Sequence, residues 1–166
     1  NGAVAAGLRA SAVGDRAVAM GNDAKADSVH ATAVGFQASA SSGQASAFGR
    51  GADASGTYSV SVGNLSKASP QNAVALGHGA NASHSGSVAL GNGSVTTGNN
   101  QISVGNASTQ RRIINVGDGS LSASSTDAVT GRQLFATNSN VTPAQNTANS
   151  AVAKADALGR LIKQVS

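Results

Sequence analysis

Small and larger side chains alternate along the first hundred residues in short phrases that each end at a glycine. Residues 73–76 read Ala-Val-Ala-Leu before Gly77, and residues 87–90 read Ser-Val-Ala-Leu before Gly91. A period of two predicts a short β-strand in each phrase. The terminating glycines recur every fourteen residues, at Gly21, Gly35, Gly49, Gly63, Gly77, Gly91 and Gly105, with Gly7 one step earlier.

A second set of turn-forming residues lies halfway between these glycines. They are Gly14, Ser28, Ser42, Gly56, Pro70, His84 and Gly98. Each repeat therefore predicts two short strands and two bends. Fourteen residues are too few for a strand and a crossover helix, which need about thirty, so successive strands are expected to stack as coils of a parallel β-solenoid.

The interior of so small a coil is expected to hold one thin layer of side chains. We expect the larger residues of one strand to fill it and the other strand to contribute small residues. The larger set is Val60, Val62, Val74, Leu76, Val88, Leu90, Ile102 and Val104, and the small set is Ala38, Ala40, Ala52, Ala54, Ser66, Ala68, Ala80 and Ala82.

The period changes near the end of the chain. Leu134, Val141, Ala148, Ala155 and Ile162 recur every seven residues, and a second apolar or small residue follows each after three: Thr137, Ala144, Ala151, Leu158 and Val165. This heptad pattern predicts a coiled-coil helix, although it is rich in Ala and contains Pro143 and Gly159.

Composition makes a self-sufficient globular core unfavourable. The 166 residues include no Trp, one Tyr, three Phe and one Met, so each buried side chain removes little apolar area from water. No Cys is present, which excludes disulfides and thiolate metal sites. The chain has no long apolar run and starts at Asn, which suggests a segment of a longer mature protein.

The head phrases 72–77 and 87–91 resemble the repeats of trimeric autotransporter adhesins, the YadA-like surface proteins of Gram-negative bacteria. Residues 111–134 resemble that family's neck, with matching positions Arg112, Ile113, Asn115, Val116, Thr126, Asp127, Ala128, Val129, Gln133 and Leu134. Two residues depart from the pattern: Ile114 follows Ile113, and Thr130 replaces the usual Asn.

The resemblance implies a mainly β protein: a left-handed parallel β-roll with 14-residue coils, forming a homotrimeric head, then a neck and a trimeric coiled coil. We expect the head at 1–108, the neck at 109–133 and the start of the stalk at 134–166. The family also implies a bacterial cell-surface location with an outer-membrane anchor outside this segment. Its partners are extracellular-matrix or host cell-surface molecules.

The sequence favours a binding protein over an enzyme. No nucleophile motif is present, no cofactor is implied, and His30, His78 and His84 lie at different places in the repeat, so neither a catalytic nor a metal site is predicted. β-Helical acyltransferases use a six-residue period, and an ice-binding solenoid would need a ladder of Thr. The dilute net charge of +4 and the few aromatic residues argue against nucleic acid.

Adhesion by multivalent, non-catalytic binding is the function that these observations favour. A structural spacer or a self-association module for autoagglutination or biofilm is the alternative. Phe36, Arg50, Tyr58 and His78 are the candidate ligand-binding residues, with packing at a trimer or coil edge as the alternative role of the two aromatic side chains. In the neck, the candidates for contacts between subunits are Arg111, Arg112, Asp127 and Arg132.

Overall fold

The computed structural model describes residues 2–165, which divide into two compact units after Arg112. The described residues form fourteen β-strands and one α-helix. They are β1 Val4–Ala6, β2 Ser11–Ala12, β3 Val18–Met20, β4 Lys25–Ala26, β5 Thr32–Val34, β6 Ser39–Ala40, β7 Ser46–Phe48, β8 Asp53–Ala54, β9 Val60–Val62, β10 Lys67–Ala68, β11 Val74–Leu76, β12 Asn81–Ala82, β13 Val88–Leu90, β14 Ile102–Ser103 and α1 Gly131–Val165.

The strands of the first unit form two parallel sheets. Sheet A has the order β1-β3-β5-β7-β9-β11-β13-β14, and sheet B has the order β2-β4-β6-β8-β10-β12. Paired residues lie fourteen positions apart, so that Val74 lies between Val60 and Val88. The predicted β-solenoid with two strands in each 14-residue coil is confirmed.

Alanine dominates the interior between the sheets. Eighteen alanines of the described chain have no exposed surface, among them Ala73 and Ala75 on either side of Val74. Serine replaces alanine in some coils, and two of these serines are hydrogen-bonded to each other inside: the Oγ atoms of Ser61 and Ser66 lie 2.7 Å apart. The core therefore consists of methyl and hydroxymethyl groups.

The expectation that Val, Leu and Ile fill the interior is wrong. The exposed fraction is 46% for Leu90 and 75% for Ile102, and Val60, Val62, Val74, Leu76, Val88 and Val104 are half buried. Alternate residues of a strand point to opposite faces. Because the small residues point into the interior, the larger residues between them point outward. The two strands of a 14-residue coil are close together, so the interior holds alanine and serine side chains, with the larger Thr96 buried only in the last coil.

The repeating glycine allows the coils to stack directly. Gly77 has a φ of 131°, and a Cβ on this residue would lie 2.6 Å from the carbonyl carbon of Gly91 in the next coil. The Gly77 amide donates a hydrogen bond of 2.8 Å to Val62 O in the preceding coil. A side chain would therefore be incompatible with both the backbone conformation and the spacing of the coils.

The second unit begins with an irregular segment and continues as α1. Thr130 and Gln133 form a reciprocal cap at the start of the helix: Gln133 N donates to Thr130 Oγ1 at 3.4 Å, and Thr130 N donates to Gln133 Oε1 at 3.1 Å. This is the capping box of a Thr-x-x-Gln sequence. Threonine can therefore replace the asparagine that is usual at position 130.

Candidate functional site

The turns between the sheets create two long edges on the first unit. The first edge comprises the two residues after each repeating glycine, at 8–9, 22–23, 36–37, 50–51, 64–65, 78–79 and 92–93. The second edge comprises the matching turn pairs 15–16, 29–30, 43–44, 57–58, 71–72, 85–86 and 99–100. Both edges expose side chains in vertical columns, because equivalent residues of successive coils lie one above another.

Phe36 and Arg50 form a contact between neighbouring coils of the first edge. The guanidinium carbon of Arg50 lies 5.8 Å from the centroid of the Phe36 ring. That distance is within the range of a cation–π interaction. The exposed fraction of Phe36 is 41%, and Arg50 is also exposed, so the pair presents an apolar ring and a hydrogen-bond donor together.

His78 lies on the same edge, three coils from Phe36. Its Nδ1 atom is 3.0 Å from Oδ1 of Asn92 in the next coil. The exposed imidazole is thereby oriented along the edge by its neighbour. The column of Phe36, Arg50 and His78 therefore forms one continuous surface, in which Asn64 occupies the intervening coil.

Tyr58 lies on the second edge and is not brought together with the other three candidates. Its exposed fraction is 50%, and its backbone is left-handed, with a φ of 59°. The repeat arithmetic explains the separation, because residue 58 is 22 positions from residue 36, which is one coil of fourteen plus about half a coil. Each of the two edges of the single chain therefore has one aromatic residue, and the two do not form one site.

An ion pair at the N-terminal end of the first edge was not anticipated from the sequence. Arg9 donates through Nη2 to Asp23 Oδ2 at 2.7 Å, across one coil. The hydrogen bond from Arg9 holds the pKa of Asp23 below its usual value, and Asp23 in turn raises the pKa of Arg9. The signal was available as opposite charges fourteen residues apart.

Arg111 contacts the last coil of the first unit. Its guanidinium donates to Asn92 O at 2.7 Å and to Ser94 Oγ at 3.2 Å, and it also donates to Val104 O. These acceptors lie where no further coil continues the stack. Arg112, by contrast, is exposed and makes none of the hydrogen bonds or ion pairs found among residues 2–165.

Asp127 and Arg132 belong to the second unit and have separate partners within the chain. Asp127 Oδ2 accepts a hydrogen bond of 2.9 Å from Ser120 N. Arg132 Nε donates to Asp118 Oδ1 at 2.7 Å, and Thr130 Oγ1 donates to the same oxygen at 2.6 Å. The hydrogen bond from Thr130 lowers the pKa of Asp118 most, and the hydrogen bond from Arg132 lowers it further.

The outer face of sheet A carries a broad band of partly exposed apolar residues. Two columns form this apolar face: Val4, Val18, Thr32, Ser46, Val60, Val74, Val88 and Ile102, and Ala6, Met20, Val34, Phe48, Val62, Leu76, Leu90 and Val104. An apolar area of this extent on one face is typical of an interface rather than of a free surface.

Comparison with known proteins identifies the repeat and the helix. The model of the YadA head domain repeat matches residues 1–24, 26–52, 54–80, 68–94 and 85–108, and the model of the coiled stalk of trimeric autotransporter adhesin matches residues 112–157. The chain belongs to the YadA-like trimeric autotransporter adhesins. No curated protein matches the chain.

One solved structure similar to this YadA-like chain is the collagen-binding domain of the Yersinia adhesin YadA. It is 30% identical, has a TM-score of 0.57, and the match covers 78% of this chain and 87% of that chain. The fold and the family predicted from the repeats are therefore confirmed, and the protein is an adhesin by family. Among residues 2–165, no helix is long and apolar enough to cross a membrane.

Proposed function

We propose that this chain is the head, neck and first stalk segment of a bacterial surface adhesin that binds a host extracellular-matrix or cell-surface molecule without catalysis. The exposed Phe36–Arg50 contact, within a column that repeats in every coil, is the observation that carries the proposal. The similar Yersinia domain binds collagen, which makes collagen the first ligand to test. The family supports an outer-membrane anchor outside this segment.

The proposal includes a homotrimer in which the apolar faces of three sheets A lie against one another around the molecular axis. A core of alanine and serine removes little apolar area from water, at about 25 cal/mol per Å². The outward Val and Leu side chains supply the missing area once three copies cover them. We propose the boundaries 1–108 for the head, 109–133 for the neck and 134–166 for the start of the stalk.

Binding to immobilised collagen, measured by surface plasmon resonance on the full chain, tests the function. Parent protein is expected to bind, and Phe36→Ala with Arg50→Ala is expected to weaken binding about tenfold or more, as loss of an aromatic and arginine anchor does. Lys25→Ala is the matched control, since Lys25 is exposed on sheet B rather than on either edge and its loss removes one positive charge, as Arg50→Ala does. Absence of binding by the parent to collagen and to a panel of other matrix proteins, together with clumping of cells that display it, would favour self-association instead.

A further inference from the structure

The separation of Tyr58 from Phe36 has a consequence in the proposed trimer. We propose that the ligand groove lies at the boundary between two copies of the chain, lined by Phe36, Arg50 and Leu65 of one copy and by Tyr58 of the next. The groove then takes an extended polypeptide with apolar side chains. This inference rests on the proposed trimeric function and assigns its binding site.

Threefold symmetry brings the two edges together. The first and second edges border sheet A on opposite sides, since each coil reaches sheet A from one turn and leaves it by the other. When three parallel copies turn their sheets A toward a common axis, the contacts between copies are head-to-tail, so the first edge of each copy meets the second edge of its neighbour. Two first edges cannot meet in such a ring.

The heights of the residues along the stack also agree. Tyr58 lies seven residues, half a coil, from both Gly51 and Leu65 of the first edge, which corresponds to about 2.4 Å along the axis. Rotation about an axis parallel to the stack leaves these heights unchanged. Tyr58 of one copy is therefore level with the gap between Arg50 and Leu65 of the next.

The first edge has an apolar surface at this height. Leu65 is exposed, and Gly51 and Gly79 occupy its position in the two neighbouring coils. A Cβ on Gly51 would lie 2.9 Å from Leu65 Cδ2, so the leucine side chain extends over Gly51, the residue after Arg50. Arg50 in turn lies over the Phe36 ring. Phe36, Arg50 and Leu65 therefore lie along one stretch of the first edge, which faces the second edge of the neighbouring copy in the proposed trimer.

The chemistry of this stretch favours an extended polypeptide. Phe36, Leu65 and Tyr58 offer apolar contact, and Arg50 offers guanidinium donors to backbone carbonyl oxygens. A single guanidinium, already placed over a ring, supplies too little positive charge to select a polyanion. Tyr58 and Phe36 are aromatic anchors of the kind that dominate peptide-binding surfaces.

Cross-linking tests the boundary without any ligand. The chain has no Cys, so Tyr58→Cys with Leu65→Cys introduces two thiols, and a short bismaleimide is expected to produce covalent dimers and trimers on a denaturing gel. His30→Cys with Leu65→Cys places the two thiols 35 residues, or two and a half coils, apart and is the matched control. The proposal would be overturned if the first variant gave only monomer on the denaturing gel while its molar mass in solution still showed a trimer.

Mixed trimers test whether the boundary binds ligand. Homotrimers of Phe36→Ala with Arg50→Ala, and of Tyr58→Ala, are each expected to lose collagen affinity about tenfold or more, and Tyr58→Phe is expected to retain it. Every trimer assembled from both chains has one intact boundary of three, so mixed trimers purified away from the two homotrimers are expected to offer about one third of the parent number of binding sites. The proposed groove would be wrong if the mixed trimers did not bind collagen, or if the Tyr58→Ala homotrimer bound collagen with the affinity of the parent.

The two experiments separate this inference from the proposed function. If the parent trimer binds none of the matrix proteins, the proposed function fails, whereas the cross-linked products still decide whether the edges meet. If cross-linking succeeds and Tyr58→Ala binds collagen as the parent does, the edges meet, but Tyr58 is only an interface residue.

Discussion

Glycines of the same turn have different roles, and Gly77 and Gly79 illustrate the difference. Gly77 has a φ of 131°, and a Cβ would meet the backbone of the next coil at 2.6 Å, whereas Gly79 has a φ of 61° and no atom within 4 Å of an added Cβ. The first position excludes a side chain on grounds of both conformation and space. The second requires only left-handed backbone, which Arg9, Asp23, Gln37 and Leu65 adopt at the same position of other coils.

We therefore expect Gly77→Ala to lower the free energy of unfolding by about 3 kcal/mol or more, and Gly79→Ala by about 1 kcal/mol. Thermal unfolding followed by circular dichroism measures both variants on the same protein. Equal losses for the two would contradict the importance of direct backbone contact between coils.

Two buried serines at equivalent positions of repeats two coils apart differ in hydrogen bonding. Ser59 Oγ is buried without a hydrogen-bond partner among the described residues, while Ser87 Oγ donates to His84 O at 2.6 Å and lies 3.0 Å from Thr96 Oγ1. Other repeats have alanine at this position, as at Ala45 and Ala73. An unpaired buried hydroxyl costs about 1–3 kcal/mol.

Ser59→Ala is accordingly expected to stabilise the protein by about 1 kcal/mol, and Ser87→Ala to destabilise it by a similar amount. Urea unfolding of the two variants beside the parent decides between them. A loss of stability in Ser59→Ala would mean that its hydroxyl has a partner in the assembled protein.

At the scale of single residues, the sequence predicted the repeat but not which alternate set lies inside. Transfer free energy favours burial of Val74 over Ala73, and the prediction followed that rule. Steric exclusion between two closely spaced strands reverses the choice, because small side chains such as Ala and Ser fill the space between the strands. The spacing that decides the outcome belongs to the closed coil and cannot be read from a strand alone.

The start of α1 is the element whose stability depends most directly on a titrating group. Asp118 accepts hydrogen bonds from Thr130 and Arg132, which lower its pKa from an ordinary value of about 3.8. Its folded pKa lies below its unfolded pKa, so its contribution to stability is complete above about pH 4 and is lost as the pH falls through the folded value.

Between pH 5 and pH 2, we expect the amide signals of Thr130 and Gln133 to shift as Asp118 is protonated, and the first turn of α1 to lose protection from hydrogen exchange. NMR spectra of the parent and of Asp118→Asn measure the effect, with the variant expected to show the low-pH behaviour throughout. An identical titration in both proteins would contradict the assignment to Asp118.

At the scale of elements, the fourteen-residue period predicts which residues share an edge. Residue numbers alone place Phe36, Arg50 and His78 in one column and Tyr58 on the opposite edge, so this separation was predictable. The contacts of Arg111 were not, because they depend on how the chain returns to the last coil after Val104. The spacing of Thr130 and Gln133 is that of a capping box, so this cap was predictable. It was missed from the sequence because Thr130 was considered only as a departure from the neck pattern.

At the scale of the whole molecule, we expect one charged pair in the neck to form contacts between subunits. Arg111 and Arg132 each have partners within their own chain, whereas Arg112 has none among residues 2–165. We predict that Arg112 pairs with Asp127 of a neighbouring copy. Asp127 also accepts a hydrogen bond from Ser120 N, so its replacement alone would disturb both roles.

A charge exchange separates these roles. Arg112→Asp is expected to lower the thermal midpoint of trimer dissociation by several degrees, and addition of Asp127→Arg is expected to recover part of the loss, since the pair is restored with reversed sign. Arg160→Asp, an exposed change in α1, is the control for net charge. Additive losses in the double variant would contradict a direct pair.

The apolar face of sheet A couples assembly to stability, and Val74 tests this coupling. Val74→Lys places a charge among the outward Val and Leu side chains, which forfeits about 1–3 kcal/mol of burial in each copy and adds a desolvation cost. Asn81→Lys is the matched control, since Asn81 lies in the same repeat but on sheet B. Sedimentation equilibrium is expected to give about 48 kDa, three times 16.0 kDa, for the parent and control, and a lower mass for Val74→Lys. A trimer of unchanged stability in Val74→Lys would show that copies associate through another surface, and both the axial packing of sheets A and the meeting of the two edges would then have to be abandoned together.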